Sequence, residues 1–297
     1  MENKSKTIKK IIIAVIVLIL LLLCISIMIQ PFNKATLTQF GPTTDRQMMG
    51  YSIKTKNNKL IMIDGGNIKD AEQLKQYIKQ NGSKVDAWFL THIHTDHVGA
   101  FTQIINDEEI KIEKIYASIC DKQWYEQNEP SRQEDIASFF TAIGDKKIEE
   151  PQVADCIIID NIQFKILKTK NPEITDNAIN NSSMVIKVKT PKTSILFLGD
   201  IGIEASNKLL QGNMKEELRS DIVQVAHHGQ AGATEELYKE INPKICLWPT
   251  IKWLWDNDIG TGENSGPWKT METREWMERL EVQKNYLAFE NQVVLDI

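Results

Sequence analysis

The 297-residue chain has five histidines, and they fall into two tight groups. The first is "THIHTDHVGA", residues 91–100, with His92, His94 and His97 around Asp96; the second is the pair His227 and His228. Histidines used for packing scatter along a chain, so this grouping points to a shared task. In a loop leaving a strand, alternating His92 and His94 project to one side, and Asp96 and His97 follow after the turn. Imidazole nitrogen beside carboxylate oxygen suits Zn²⁺, with Mn²⁺ or Fe as further fits. A metal site is the expected chemistry.

Such a loop needs rigid elements on either side. The apolar run "DAWFL" directly before it reads as the end of a buried strand, "KVDAWFL". Upstream, "ATLTQF", "GYSIKTK" and "KLIMIDGG" are short strands separated by Gly, Pro and Asn, which predicts an opening antiparallel sheet. "NIKDAEQLKQYIKQNG" has helical apolar spacing and stops on Asn-Gly. Downstream, helices are expected near 98–106, 132–143 and 270–281, and strands near 112–117 and at "CIIID", "IQFKILK", "SMVIKVK", "SILFLGD", "DIVQVA", "KICLW" and "VVLDI". Two β-rich blocks interspersed with helices predict two sheets sandwiched between helices.

The hexapeptide inside "THIHTDHVGA" resembles the H-x-H-x-D-H signature of the metallo-β-lactamase superfamily, and further landmarks follow in order: "IMIDGG" with Asp64, "ILFLGDI" with Asp200, then "VQVAHHGQ". The resemblance runs from about residue 35 to the C-terminus and implies an αββα sandwich with two divalent metal ions. It implies that His92 and His94 hold one ion, Asp96 and His97 the other, and that Asp200 bridges them. Many members carry another histidine between the hexapeptide and the bridging aspartate; here "AINNSSMVIKV" stands instead, which resembles the branch of the DNA-uptake protein ComEC and its Rec2-like relatives. His227 and His228 are then the histidines left to complete the two spheres; at least one is expected to ligate, and which one stays open. Asp64, in a Gly-Gly turn, is placed to orient the loop or a ligating histidine, and with Asp96 and Asp200 makes up the carboxylates of the catalytic centre. Asn180, Asn181, Ser182 and Ser183 either support the ligands, contact substrate or simply turn the chain before a strand. Two ions about 3.5–4 Å apart activate water and polarise a carbonyl or phosphoryl oxygen, so hydrolysis is expected.

Composition sets the surroundings. At 42% hydrophobic and 25% charged residues, with 9 Pro and 15 Gly, the chain reads as one large packed domain. Residues 11–30, "IIIAVIVLILLLLCISIMIQ", carry no charge and at about 1.5 Å per residue match a bilayer core of about 30 Å. A cleaved signal peptide is the rival reading, but the run exceeds an ordinary signal core and no A-x-A-like site follows. Lys4, Lys6, Lys9 and Lys10 precede the run, which predicts a cytoplasmic tail over 1–10, a single-pass anchor over 11–30 and an extracytoplasmic hydrolase domain over 31–297. Beyond the tail, 31 basic residues face 39 acidic ones, a field that repels polyanions. Cys24 lies in the run, and Cys120, Cys156 and Cys246 lack metal-site or disulfide spacing and read as small buried hydrophobes.

Substrate class is suggested by aromatics. Five of seven tryptophans fall in the last fifty residues, and "WPTIKWLWDNDIGTGENSGPWK" is loop-like. Trp253, Trp255 and Trp268 are packing residues or the walls of a cage for a quaternary ammonium. This segment is similar to that of the phosphorylcholine esterase domains that act on teichoic acids. The expected function is therefore a membrane-anchored phosphodiesterase acting on a cell-envelope phosphodiester such as phosphorylcholine. The alternatives are a nuclease acting on DNA, a β-lactam or thioester hydrolase with the same metals, and a non-catalytic binding module, which would have lost ligands that are present here.

Overall fold

A computed structural model describes Val15 and residues 34–297. The expected tail (1–10) and, apart from Val15, the expected anchor (11–30) with Cys24 lie outside the described residues; among those described, no helix is long and apolar enough to cross a membrane.

Residues Ala35–Ile297 form one compact unit. Its first half runs β1 (Thr36–Gln39), β2 (Gly50–Lys54), β3 (Leu60–Asp64), α1 (Ala71–Gln80), β4 (Lys84–Val85), β5 (Ala87–Leu90), α2 (Thr95–Ile104), β6 (Lys111–Ile112), β7 (Ile115–Ala117), α3 (Lys122–Asn128) and α4 (Gln133–Ile143). The second half runs β8 (Cys156–Ile159), β9 (Ile162–Lys168), α5 (Ala178–Asn181), β10 (Val185–Lys189), β11 (Ser194–Phe197), α6 (Ile203–Gln211), β12 (Ile222–Gln224), α7 (Glu235–Ile241), β13 (Ile245–Trp248), α8 (Lys252–Trp255), α9 (Thr270–Arg279), β14 (Lys284–Leu287) and β15 (Val293–Asp296). One sheet has the order β15-β1-β2-β3-β5-β7 and the other β14-β13-β12-β11-β10-β9-β8.

Strand alternation feeds three separate cores. On β3, Ile61 and Ile63 point between the sheets and Leu60 and Met62 point to the outer helices. On β11, Ile195 and Phe197 point inward, Leu196 and Leu198 outward. The inter-sheet layer is closed by Phe89 stacked on Phe164, with ring centroids 4.9 Å apart. Outside the first sheet pack Leu74 and Ile78 of α1, Phe101 and Ile104 of α2, and Phe139 of α4. Outside the second pack Leu209 of α6, Leu237 and Tyr238 of α7, and Met277 of α9. Both sheets are thus covered on both faces, which is why their central strands read as continuous apolar runs. This is the expected αββα sandwich.

Several elements differ from expectation. "KVDAWFL" is two strands, because Asp86 turns away to bond the backbone of Leu60: its N–H donates to the Leu60 carbonyl and its carboxylate accepts the Leu60 N–H. The Trp-rich stretch contains the short helix α8; α3, α5, α6 and α7 are additional helices and β14 an additional strand; and the strand expected near 112–117 is β6, paired with β4 in a small separate sheet, followed by β7. Cys120 and Cys246 are buried, but Cys156 is exposed, since β8 is an edge strand whose alternation turns Cys156 and Ile158 outward.

Candidate metal centre

The site lies where strands end. β3, β5 and β7 are parallel neighbours, as are β11, β12, β13 and β14. Asp64 ends β3, residues 91–97 follow β5, Asp200 follows β11, and His227 and His228 follow β12. Loops at the carboxyl ends of parallel strands gather side chains from distant parts of a sequence. His94 is the extended residue capping α2, which places Asp96 and His97 in the first helical turn. Gly199, at φ +58°, bends the chain between β11 and Asp200. Buried Gln224 satisfies that bend, accepting the N–H groups of Leu198 (2.7 Å) and Gly199 (2.8 Å) and donating to the Gly199 carbonyl (3.0 Å).

Asp96, His97, Asp200 and His228 bring one ligand atom each to within 4.8 Å of one another. His97 Nε2 lies 3.2 Å from Asp200 Oδ2 and 3.3 Å from His228 Nε2. His228 Nε2 lies 3.0 Å from Asp96 Oδ2 and 3.4 Å from Asp200 Oδ2. A tetrahedral ion with bonds of about 2.1 Å separates its donors by about 3.4 Å, so the spacing fits. Beside this group, His92 Nε2 and His94 Nδ1 are 3.2 Å apart, and His92 Nε2 is 4.0 Å from Asp200 Oδ2. Asp200 Oδ1 and His94 Nε2 are buried without a hydrogen-bond partner among the described residues, which is costly in a closed protein and consistent with a second cation position.

The outer nitrogens of three imidazoles are tied down. His97 Nδ1 is 2.7 Å from Asp64 Oδ2, and His228 Nδ1 donates to the Pro249 carbonyl at 2.5 Å. His92 Nδ1 is 3.1 Å from Thr91 Oγ1 and 3.2 Å from Ser183 Oγ. Thr91 gives its own hydroxyl proton to Asp64 (2.6 Å), leaving a lone pair for His92. Each ring is thereby fixed with Nε2 toward the cluster, the usual way an imidazole is held for a metal.

Charge follows the same layout. Burial, then His97, hold His92 well below the histidine range, and burial pushes His94 down to about 4. Burial also works against charge on His97 and His228, but Asp200, with Asp64 and Asp96, outweighs it: His97 is held well above its usual range and His228 is pushed up to about 10. In return Asp200 and Asp96 are held well below the carboxylate range in spite of burial. Burial raises Asp64 while His97 and Thr91 pull against it, and two donations from Thr91 beside His97 make the ionised carboxylate the state that fits the geometry.

The sequence profile of the metallo-β-lactamase superfamily matches residues 51–247. The chain belongs to that superfamily. Its members are generally metal-dependent hydrolases, and the fold implies divalent metal ions. Over 166 residues the chain is 27% identical to ComE operon protein 3 of Bacillus subtilis (strain 168); the match spans 55% of this chain and 20% of that protein's length. Among solved structures, the metallo-β-lactamase fold protein YhfI of Bacillus subtilis aligns with a TM-score of 0.54 at 12% identity, over 88% of this chain and 99% of that one. Yeast PDE1 aligns with a TM-score of 0.53 at 10% identity, over 89% and 100%.

Within this superfamily member the two late histidines part company. His228 joins the donor group, while His227 Nδ1 donates to the Ala231 carbonyl (3.0 Å) and its Nε2 meets Asn180 Nδ2 (3.2 Å). Both have left-handed backbone, φ 52° and 57°. Asn180 Oδ1 is buried and unpartnered among the described residues, and Ser183 Oγ accepts the Asp200 N–H at 3.0 Å. The tryptophans divide as well. Trp255 is already covered by the Arg274 guanidinium, 4.2 Å from its ring centre, and stands edge-on to Trp248, so its face is taken. Trp253 and Trp268 form a half-buried pair with centroids 4.8 Å apart; the Trp268 carbonyl accepts the N–H of Ala231, the residue that holds His227. Thr91, Gln224 and Lys168 support the site without having been foreseen: their partners are mainly remote backbone groups and ring nitrogens, which leave no spacing signal.

Proposed function

We propose that this chain is a membrane-anchored, extracytoplasmic phosphodiesterase for a cell-envelope phosphodiester bearing phosphorylcholine or a related amino-alcohol. The observation that carries the reading is Asp200: its Oδ2 lies 3.2 Å from His97 Nε2 and 3.4 Å from His228 Nε2 on one side and 4.0 Å from His92 Nε2 on the other, and its Oδ1 is buried without a partner among the described residues, so this carboxylate would be shared by two ions, which we take to be Zn²⁺. Two divalent ions held there supply an activated water and offset the negative charge that builds on phosphoryl oxygens. The chain's own groups do the positioning. Asp64, Thr91 and the Pro249 carbonyl keep imidazoles turned inward. Asn180 Nδ2 is shared between Asn177 Oδ1 and His227 Nε2, and the unpartnered Asn180 Oδ1 is left as an acceptor for a water or hydroxyl proton. Trp253 and Trp268, next to the loop carrying His227, suit a cationic head group, and the acidic surplus favours such a group over DNA.

A second reading, a nuclease acting on DNA, is favoured by the similarity to ComE operon protein 3. Affinity for DNA normally rests on lysine and arginine contacts to phosphates, which the charge balance opposes. The test is to assay the metal-loaded full-length chain on p-nitrophenyl phosphorylcholine, bis(p-nitrophenyl) phosphate, DNA, a β-lactam and a thioester. Phosphorylcholine ester turnover is expected to lead. Trp253→Ala or Trp268→Ala should weaken it by about 1–2 kcal/mol and spare bis(p-nitrophenyl) phosphate, which has no cationic group. Turnover of DNA alone would favour the second reading, and turnover of only the lactam or thioester would overturn both.

A further inference from the structure

We propose that Lys168 is a positioning residue of the metal centre: from behind residues 178–183 it sets the place of Ser183 against His92 and Asp200. Lys168 ends β9 and is 5% exposed. A buried lysine normally pairs with a carboxylate. Among the described residues its hydrogen-bond partners are instead three backbone carbonyls: Thr169 at 3.0 Å, Asn181 at 2.8 Å and Ser183 at 3.0 Å. An ammonium has three N–H donors, and all three are used. Burial, then nearby Lys208, pull this amine down to about 7, while the three acceptors favour keeping its proton.

The grip is on the back of a segment whose front faces the site. Asn181 and Ser183 lie at and just beyond the C-terminal end of the one-turn helix α5, where carbonyls lack helical partners. The Asn181 carbonyl takes a further bond from Asn171 Nδ2 at 2.9 Å. On the other side, Ser183 Oγ lies 3.2 Å from His92 Nδ1 and accepts the Asp200 N–H, while Asn181 Oδ1 accepts the N–H groups of Gly202 (3.0 Å) and Ala205 (3.3 Å). Within Ser183 the carbonyl held by Lys168 and the hydroxyl touching His92 are a few covalent bonds apart. Displacing one displaces the other. Ser183 touches the His92 ring itself but reaches the other group only through the Asp200 backbone, so the larger effect should fall on the His92–His94 position.

A cavity of about 220 Å³ adjoins the lysine, lined by Leu167, Lys168, Asn171, Lys208, Leu209 and Met214. Shortening Lys168 joins this space to the three carbonyls and leaves room for a small alkylammonium.

The inference rests on the metal-centre reading, so the experiment separates the two. Metal-free full-length protein is titrated with Co²⁺ and followed by visible absorption, with circular dichroism to check the fold and His94→Ala to identify which step is which. Wild type should take up two Co²⁺. In Lys168→Ala the His92–His94 step should weaken about 10-fold, the scale seen when a supporting partner is lost, with the other step less affected. Propylammonium should restore it and tetramethylammonium, which has no N–H, should not. If the alanine variant fails to fold, Lys168→Met, which keeps the stem and loses only the ammonium, should show the same weakening, without rescue because its side chain still fills the space. Wild-type affinity at both steps in a folded variant, or loss in the alanine variant that no ammonium donor repairs, would overturn the role of Lys168 alone; wild type taking up no Co²⁺ would overturn the metal-centre reading and this inference with it.

Discussion

Asp64 accepts from the N–H and hydroxyl of Thr91 and from His97, and two of these contacts decide where an imidazole points. Asp64→Asn keeps the shape but halves the acceptor capacity, so His97 and Thr91 must compete for one oxygen. Metal affinity should fall roughly 10–100-fold with the fold intact, measured by calorimetry; unchanged affinity would mean that packing alone holds His97. A second consequence concerns pH. A metal ion and a proton compete for His228 Nε2, and without metal that nitrogen keeps its proton up to about pH 10. Apparent affinity should therefore rise about tenfold per pH unit for each proton displaced across pH 6–9, and a flat profile would show that His228 is neutral before binding. The same raised value stabilises the metal-free fold: the contribution is fully present below the ordinary histidine range and is lost as pH climbs through about 10. These residues differ in how plainly the sequence announces them. His92, His94, Asp96 and His97 are legible because four donors crowd into six positions. Thr91 acts mainly through Asp64, 27 residues away in the chain, and nothing local marks that role, whereas Ser183 stands among the candidates of the Asn/Ser-rich segment with its partner unspecified.

Elements were readable where burial is two-sided. β3 and β11 appear as largely apolar runs because each faces the inter-sheet layer on one side and helices on the other, while β9 and β10 alternate, turning Gln163 and Lys189 to the surface. The short helices α3, α7 and α8 have only four to seven residues, too few for a clear 3.6 period, and α8 hides in a Trp-rich stretch. The turn after β11 is the most constrained connection at the site. A Cβ on Gly199 would lie 2.8 Å from Ser183 and 3.0 Å from Thr91, and φ is +58°. Gly199→Ala should cost about 1–3 kcal/mol in urea unfolding and lower metal affinity, because Ser183, Thr91 and Asp200 must all shift. Normal stability would show that the turn relaxes easily.

Across the whole molecule, the proposed anchoring by the apolar run at 11–30 has a consequence that is testable in cells. Protease added outside intact cells should digest residues beyond the apolar run if the proposed topology holds, since four lysines precede that run; protection until lysis would overturn the proposal. One further feature concerns mechanics. His92, His94, Asp96 and His97 come from the half of the chain that builds the first sheet, Asp200 and His228 from the half that builds the second. An ion in the Asp96–His97–Asp200–His228 group would therefore act as a rivet across the seam of the sandwich. Under load, whether a pulling force or a translocating motor, the seam would part only after the rivet had been drawn, so chelators would soften the molecule far from any substrate.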